Sequence, residues 1–316
     1  MGTIAAMRSQ STHLTNFKFG TLRVTVKHEN DDLSRYLERE MRPHLENGPI
    51  KRAHNAQLSL IPCARLPLLP SKAEFVRQEA GAEVYERGPS RCILANHYLV
   101  ILDTKGRTAQ AYYTDDADVY SRVRSVLKWL VITAAEEADQ FYLHAGACSW
   151  SGKSVIYCGD SGAGKTSNLI RSAKLGAILV ADDMVLADKN GILPIHLGAH
   201  IRGDAPIRFA IPEGERRLSE IGMVADRAQQ GPHTVVLIHA WREQTSLLRR
   251  IAPKRAVLKL WKMYERESAY NAKAQSRSKW LAKGREFLHE ASYFELFTGE
   301  DEALINSQLR SLFEAL

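Results

Sequence analysis

The segment CGDSGAGKTSNLI, Cys158–Ile170, decides the fold class of this chain of 316 residues. It contains the pattern G-x-x-x-x-G-K-[ST], a glycine-rich loop that surrounds phosphate oxygens, at Gly159, Gly164, Lys165 and Thr166. A β-type run precedes the loop and a short helical segment follows it, which is the context that this motif requires. Motors, switches, transporters and kinases all share the pattern, so the neighbouring residues must decide the function.

We expect the whole loop to contact a nucleotide. Small residues let backbone N–H groups approach the phosphate oxygens, and the following helix directs its positive end at the same charge. Lys165 would reach the β- and γ-phosphates, and the Thr166 hydroxyl would bind Mg²⁺. The predicted nucleotide-binding residues are Gly159, Asp160, Ser161, Gly162, Ala163, Gly164, Lys165, Thr166 and Ser167.

A β-hairpin is predicted immediately before the loop. The segment FYLHAGACSWSGKSVIYC contains two β-type runs separated by Ser151-Gly152, a two-residue turn signal. If that turn sets the register, the numbers of opposing residues add up to 303. His144 on the first strand then faces Gly159 at the start of the loop, where it could neutralise phosphate charge or orient a catalytic base. A packed or surface histidine is the alternative interpretation.

Two carboxylates follow the loop one β-α step later. A short helix is predicted from Lys165 to about Lys174, and the run AILVADD ends in Asp182 and Asp183. Successive strand residues point to opposite faces, so one carboxylate would hold Mg²⁺ and the other would take the proton of an acceptor hydroxyl. An acidic turn that faces solvent is the alternative.

The segment Tyr142–Val185 resembles the catalytic core of the HPr kinase/phosphorylase family. That family shows a histidine that leads a hairpin, then G-D-S-G-x-G-K-[ST], a short helix and a hydrophobic run that ends in Asp-Asp. The corresponding residues here are His144, Gly159 to Thr166, and Asp182-Asp183. The resemblance implies an α/β fold with an HPr kinase/PEP carboxykinase-like P-loop kinase core and, before it, an N-terminal mixed α/β region.

The resemblance also implies an activity, cofactors and a partner. It implies a kinase that uses ATP and Mg²⁺ to transfer the γ-phosphoryl group to a hydroxyl. Some divergent HPr-kinase-like proteins are encoded beside peptide natural products such as lasso peptides and phosphorylate a serine of the precursor, so the expected substrate is a peptide or protein with an acceptor serine. HPr kinases assemble as hexamers, which leaves a homo-oligomer open.

The resemblance assigns roles to particular residues. The segment HIRG keeps the family's Arg-Gly pair, whereas His200 stands where the family has a glutamate. The implied catalytic residues are Asp182, Asp183, His144 and Arg202, and the implied metal ligands are Thr166, Asp182 and Asp183.

Two domains are predicted. Residues 1–115 would form the N-terminal α/β region, a candidate for substrate recognition, and residues 116–316 the kinase domain. Two alternatives to a peptide kinase are a small-molecule hydroxyl kinase on the same core and a nucleotide-regulated nucleic-acid-binding protein. The latter would use the segment 241–285, which has thirteen basic and three acidic residues. Its aromatic residues are too sparse for a base-stacking platform, so nucleic acid is not expected.

The basic segment also contains three arginines that we expect near the phosphate site. The run TVVLIHAW predicts a core strand, and Arg249, Arg250 and Arg255 follow it. A guanidinium at that place would stabilise the charge of a transferring phosphoryl group. A solvated cationic helix face is the alternative.

Composition indicates a globular cytoplasmic protein. The chain is 45% hydrophobic and 25% charged, with a formal net charge of +7, which favours acidic partners in general. Its longest apolar segment, Val126–Ala135, contains Lys128 and is too short to cross a bilayer. The segment Met1–Thr15 does not resemble a secretory signal. The four cysteines show no metal-binding spacing and are expected to be core thiols.

Overall fold

The computed structural model describes the chain except for residues 1–11, 21, 47–54, 80–81, 104–107, 115, 138–139, 189–190, 202, 204, 231–232, 242 and 268–273. The fold is mixed α/β, with several mixed sheets. Contacts between Cα atoms divide it into two compact units, Met1–Ala134 and Ala135–Leu316, which are described separately. The division falls inside the helix Asp116–Glu137, nineteen residues after the boundary predicted at 115/116. The roles expected of the two domains remain predictions.

The first unit is built on an eight-stranded sheet in the order β1-β2-β3-β8-β7-β6-β5-β4. Burial alternates along β2, because one face of the sheet carries the core residues Leu22, Val24 and Val26. The strands are β1 (His13–Phe19), β2 (Leu22–His28), β3 (Asn55–Pro62), β4 (Glu74–Glu79), β5 (Ala82–Arg87), β6 (Ser90–Ala95), β7 (Tyr98–Asp103) and β8 (Thr108–Tyr113). The helices are α1 (Asp31–Glu40), a 3₁₀ turn (Arg42–His44) and α2 (Asp116–Glu137), which continues into the second unit.

The segment CILANHYLVILDTKGRTAQAYYT, which begins at Cys92, predicts one hairpin that turns at 104–106. This prediction is wrong in its strand count, because the segment forms parts of three strands, β6, β7 and β8. The first turn is at Asn96-His97, between Ala95 and Tyr98, which pair with each other. Asparagine favours such a turn, but the apolar residues on both sides concealed the signal. The turn predicted at 104–106 lies outside the described residues.

The second unit contains a six-stranded sheet in the order β12-β10-β11-β17-β19-β18, together with a three-stranded sheet β14-β13-β9 and a two-stranded pair β15-β16. Its strands are β9 (Phe141–Leu143), β10 (Ala145–Trp150), β11 (Lys153–Cys158), β12 (Ile178–Ala181), β13 (Val185–Asp188), β14 (Gly191–Leu193), β15 (Ala199–Ile201), β16 (Gly214–Arg216), β17 (His233–Ala240), β18 (Leu247–Arg250) and β19 (Ser292–Thr298). Its helices are α3 (Lys165–Lys174), α4 (Ala205–Phe209), α5 (Leu218–Ile221), α6 (Pro253–Glu267), α7 (Ala274–Leu288) and α8 (Glu302–Glu314).

The predicted hairpin before the glycine loop is confirmed, including its register. Strands β10 and β11 are antiparallel, and Ala145 pairs with Cys158, so the opposing numbers add up to 303 as expected. Ser151 and Gly152 have φ angles of 50° and 79°. Positive φ at both central positions is the requirement of a type I′ turn, whose twist matches that of the two strands.

Helices cover both faces of the six-stranded sheet. On one face, apolar residues of α3 and α8 pack against the central strands, and Leu169, Val236, Leu296 and Ile305 belong to one buried cluster. On the other face, Leu260 of α6 lines a recess together with Cys158 of β11. Loops that leave the carboxyl ends of the parallel strands β11, β17 and β19 therefore meet at one edge of the sheet.

Within the described residues, no helix is both long enough and apolar enough to cross a membrane. All four cysteines are free thiols, and Cys92, Cys148 and Cys158 are buried, whereas Cys63 is partly exposed. The expectation of core thiols is therefore confirmed for three of them.

Candidate functional site

The glycine loop connects the end of β11 to the start of α3, so the predicted order of strand, loop and helix is confirmed. Gly164 caps the helix with a φ of 99°, and Gly162 has a φ of 80°. Such angles favour glycine, which lacks the Cβ that would clash with its own backbone. A Cβ on Gly159 would lie 2.9 Å from the carbonyl oxygen of Ile238. This first glycine is therefore required because β17 passes close to the loop.

The side chain of Lys165 lies across the loop. Its Nζ donates hydrogen bonds to the carbonyl oxygens of Gly159, at 2.9 Å, and Asp160, at 3.3 Å. These bonds hold the ammonium group over the concave side of the loop, next to the N-terminus of α3. The loop therefore combines a fixed positive charge with the positive end of a helix.

A chain of hydrogen bonds links the loop to the start of α8. The Asn168 Nδ2 donates to the carbonyl oxygen of Gly164 at 2.9 Å, and Nη1 of Arg171 donates to Oδ1 of Asn168 at 3.2 Å. Arg171 also donates two hydrogen bonds, of 2.9 and 2.6 Å, to the Glu302 carboxylate at the start of α8. Sequence reasoning missed this network, because three polar residues on two helices give no signal that they meet.

Asp182 is buried beside the loop. The Thr166 hydroxyl donates to its Oδ2 at 2.9 Å, whereas its Oδ1 is buried without a hydrogen-bond partner in the described part of the chain. Burial, together with the neighbouring charge of Asp183, raises the pKa of Asp182 to about 7, although the Thr166 hydrogen bond opposes the shift. Asp182 is therefore held against the loop with one acceptor oxygen that lacks a donor.

Asp183 has a different environment. Its side chain is 51% exposed, and its Oδ1 lies 3.4 Å from Nδ1 of His144, whose side chain is 20% exposed. Asp183 has a φ of 64°, a left-handed conformation that asparagine and aspartate tolerate better than most residues. The expectation that the two carboxylates face different surroundings is therefore supported by their burial.

His144 and the aspartate pair come together because two segments pass from one sheet to another at the same place. Leu143 of β9 pairs with Val185 of β13 in the three-stranded sheet. Ala147 of β10 pairs with Ala181 of β12 in the six-stranded sheet. The residues between these pairs link the sheets, and they include His144 on one segment and Asp182-Asp183 on the other.

The structure thus brings together five of the predicted site residues at one sheet edge: His144, Lys165, Thr166, Asp182 and Asp183. Arg202, the remaining predicted catalytic residue, lies outside the described residues. The catalytic and binding roles themselves remain predictions.

Two of the three arginines expected near the phosphate site contact a buried carboxylate. Arg249 and Arg255 contact Glu295, which is fully buried in the middle of β19. The role expected of all three arginines at the phosphate site remains a prediction. Lys259 of α6 and His239 of β17 complete the surroundings of this carboxylate. A single glutamate inside the apolar run SYFELFT was the available sequence signal, because a carboxylate buried in a strand requires cations.

The pKa of Glu295 reports the strength of this cation cluster. Burial alone would raise the pKa of the carboxyl group, but the hydrogen bonds from Lys259 and Arg249 and the charges of Lys259 and Arg255 lower it to about 2. The carboxylate is therefore ionised at neutral pH and is fixed among its partners.

The oxygens at the loop suit a hard divalent cation. The Thr166 hydroxyl and the partnerless Oδ1 of Asp182 are the kind of donors that Mg²⁺ prefers. Among the described residues, no three His, Cys, Asp or Glu side chains converge as a metal-binding group. Mg²⁺ commonly uses one or two protein ligands together with substrate phosphates, so the small set of donors fits this ion.

Comparisons with known proteins add little to this geometry. No family model matches the chain, and no curated protein matches it. Among solved structures, the chain is similar to the HPr(Ser) kinase/phosphatase from Coxiella burnetii, with 12% identity and a TM-score of 0.27. The match covers 55% of this chain and 97% of the other. It is a weak likeness at the level of the fold, so the functional argument depends on the site itself.

Fold and site together define an α/β protein with a glycine-rich loop at a helix N-terminus and, beside it, a buried and an exposed carboxylate.

Proposed function

We propose that the protein is a kinase with an HPr kinase/PEP carboxykinase-like core that uses ATP and Mg²⁺ to phosphorylate a hydroxyl group. The proposed acceptor is a serine of a peptide or protein. The observation that carries the proposal is the 2.9 Å hydrogen bond from the Thr166 hydroxyl to the buried Asp182 carboxylate, which joins the helix after the loop to the aspartate pair. The sequence resemblance of Tyr142–Val185 to the HPr kinase/phosphorylase family supports the same assignment.

In this proposal, the loop residues 159–167 bind the triphosphate through backbone N–H groups, and Lys165 neutralises charge on the β- and γ-phosphates. Thr166 and Asp182 would hold Mg²⁺, which would supply charge neutralisation on the phosphate oxygens. A bound divalent cation favours the ionised form of Asp182, and this counteracts the effect of burial on its pKa.

Asp183 is the proposed general base. Its carboxylate is exposed enough to meet an acceptor, and His144 lies 3.4 Å from it and orients it. The serine oxygen forms a bond to the γ-phosphorus, while the bond from that phosphorus to the β,γ-bridging oxygen breaks. The serine proton goes to Asp183, and ADP leaves with the bridging oxygen.

The proposal is tested by incubation of the purified protein with γ-labelled ATP, Mg²⁺ and a library of serine-containing peptides. We expect label on serine, and we expect Lys165→Ala and Asp182→Asn to abolish the transfer. Lys153→Ala is a matched control, because Lys153 lies at the other end of β11 from the loop.

Two results would contradict the proposal. Nucleotide binding without transfer to any peptide would favour a binding protein, and transfer to a small molecule alone would move the acceptor class to the alternative kinase. Equal activity of Lys165→Ala and the wild type would exclude the loop as the nucleotide site.

A further inference from the structure

A group of cations around the buried Glu295 has no task in the proposed transfer reaction. We call it the Glu295 cluster, and it consists of Glu295, Arg249, Arg255, Lys259 and His239. Nε of Arg249 donates to Oε2 of Glu295 at 2.9 Å, Nη2 of Arg249 lies 2.7 Å from the same oxygen, and Lys259 donates to Oε1. Nη2 of Arg255 lies 3.5 Å from Oε2, and Nε2 of His239 lies 3.4 Å from Oε1.

The cluster has more positive charge than its carboxylate requires. Two arginines and one lysine surround a single glutamate, so the group has an excess of two positive charges when His239 is neutral. The side chain of Arg249 is 44% exposed and that of Arg255 is 55% exposed, whereas Glu295 is fully buried. The negative charge is therefore enclosed, and the excess positive charge faces solvent.

Arg249 is held on two sides although its side chain is 44% exposed. Besides its bonds to Glu295, its guanidinium lies over the ring of Phe297, at 5.0 Å from the centroid. A guanidinium has five N–H donors, of which this carboxylate takes two. An arginine fixed in this way loses little conformational entropy when its outer edge binds a carboxylate or phosphate group.

The position of the Glu295 cluster indicates which molecule would supply the carboxylate or phosphate group that binds Arg249. Nε2 of His239 and Nζ of Lys259 lie 3.4 Å apart, and the charge of Asp160 in the loop acts on His239. Arg249 is farther away, on β18, which is the third strand from β11 in the order β11-β17-β19-β18. At the usual spacing of strands this is roughly 14 Å. The Arg249 backbone is therefore three strands from the strand that leads into the loop, which favours an anion of the acceptor over a phosphate held in the loop.

We infer that Arg249 and Arg255, held by Glu295, form a docking site for a carboxylate or phosphate group of the acceptor, and therefore that the acceptor serine lies in an acidic peptide. The inference rests on the proposed function for the identity of the acceptor. The cation site itself depends only on the contacts of the Glu295 cluster.

The probe is a fluorescein-labelled peptide of alternating glutamate and serine, with an alternating lysine and serine peptide for comparison. Binding to the full-length protein is measured by fluorescence anisotropy at low salt and again at physiological salt. We expect binding of the acidic peptide only, weakened by salt, and weakened about fivefold to tenfold by R249Q/R255Q. The control R227Q/R310Q removes two exposed charges elsewhere in the second unit.

The variants are checked for folding, because Arg249 stabilises a buried carboxylate. R255Q alone is the milder test, since Arg255 is more than half exposed and its 3.5 Å contact with Glu295 is long. The R255Q variant should keep the thermal midpoint of the wild type and still bind the acidic peptide more weakly. Equal loss of affinity in R227Q/R310Q, or tight binding of the acidic peptide by R249Q/R255Q, would overturn the inference.

The nucleotide provides the second part of the test. ATP affinity, measured by titration calorimetry without peptide, should be unchanged in R249Q/R255Q. A parallel loss of ATP affinity would assign the site to the nucleotide and overturn the inference. If the protein transfers no phosphate but binds the acidic peptide through Arg249 and Arg255, only the proposed function fails. If it phosphorylates peptides without regard to their charge, only the inference fails.

Discussion

At the scale of single residues, the proposed mechanism gives the two neighbouring aspartates separable roles. Asp182 is buried against Thr166, and Asp183 is half exposed beside His144. Asp182→Asn should weaken the Mg²⁺ dependence of ATP binding, because the metal loses a carboxylate ligand. Asp183→Asn should leave ATP binding nearly intact and lower the turnover rate by about a hundredfold or more, the usual contribution of a general base.

Calorimetric titration with ATP at several Mg²⁺ concentrations and single-turnover kinetics measure the two effects separately. Asp226→Asn, on an exposed aspartate elsewhere in the second unit, is the control. Loss of nucleotide affinity in Asp183→Asn with normal affinity in Asp182→Asn would reverse the two assignments.

The lowered pKa of Glu295 predicts how the stability of the folded protein depends on pH. Its pKa is about 2 in the folded protein and has an ordinary value of 4.5, so the unfolded chain binds the proton more readily. The stabilisation is complete above pH 4.5 and is lost as the pH falls from 4.5 toward 2. The difference between the folded and the unfolded pKa of Glu295 corresponds to about 3 kcal/mol in the free energy of unfolding.

Thermal unfolding of wild type and Glu295→Gln between pH 7 and pH 3 checks this expectation. The difference between the two midpoints should shrink as the medium becomes more acidic, because the wild-type carboxylate loses its advantage. A difference that stays constant with pH would mean that the ion pairs do not control stability at this position.

At the scale of elements, a substitution in the turn between β10 and β11 should increase the stability of the second unit. Ser151 adopts a φ of 50° at the first central position of a type I′ turn, where asparagine is preferred. Ser151→Asn should therefore stabilise the second unit by about 0.5 kcal/mol, and Ser151→Val should destabilise it by about 1 kcal/mol or more. Urea denaturation gives both values, and a destabilising Ser151→Asn would contradict the turn geometry.

The contact between α3 and α8 should control how well the loop holds phosphate. Glu302→Gln weakens the two hydrogen bonds that hold Arg171, which in turn holds Asn168 against Gly164. We expect a threefold to tenfold loss of ATP affinity, about 1 kcal/mol, with a smaller change in turnover of bound ATP. Glu314→Gln, at the other end of α8, is the control. Equal effects of both variants on ATP affinity would show that the hydrogen bonds from Glu302 to the loop do not control nucleotide binding.

The elements also show which features of the structure can be predicted from the sequence. The hairpin register, the loop, the helix after it and the aspartate pair were predicted correctly in position, because each depends on a turn signal or a motif within a few residues. The surroundings of Arg249 and Arg255 were not, because their partner Glu295 lies forty or more residues away in sequence and on a different element. A periodic pattern identifies a strand but does not give its neighbour in the sheet.

At the scale of the whole molecule, bound nucleotide should stabilise a defined part of the chain. Ligands add stability only to regions whose opening disrupts the binding site. Hydrogen exchange with ATP and Mg²⁺ should therefore slow most in residues 159–170 and around Asp182. Slowing confined to Met1–Ala134 would place the nucleotide in the other compact unit and contradict the site.

The shared passage of two segments between the sheets constrains the lengths of those segments. His144 stays beside Asp183 only while both strands keep their present pairing on each side of the crossing. One additional residue in either segment would turn every following side chain to the opposite face of its sheet. Length variation in related chains should therefore be rare between Leu143 and Ala147 and between Ala181 and Val185.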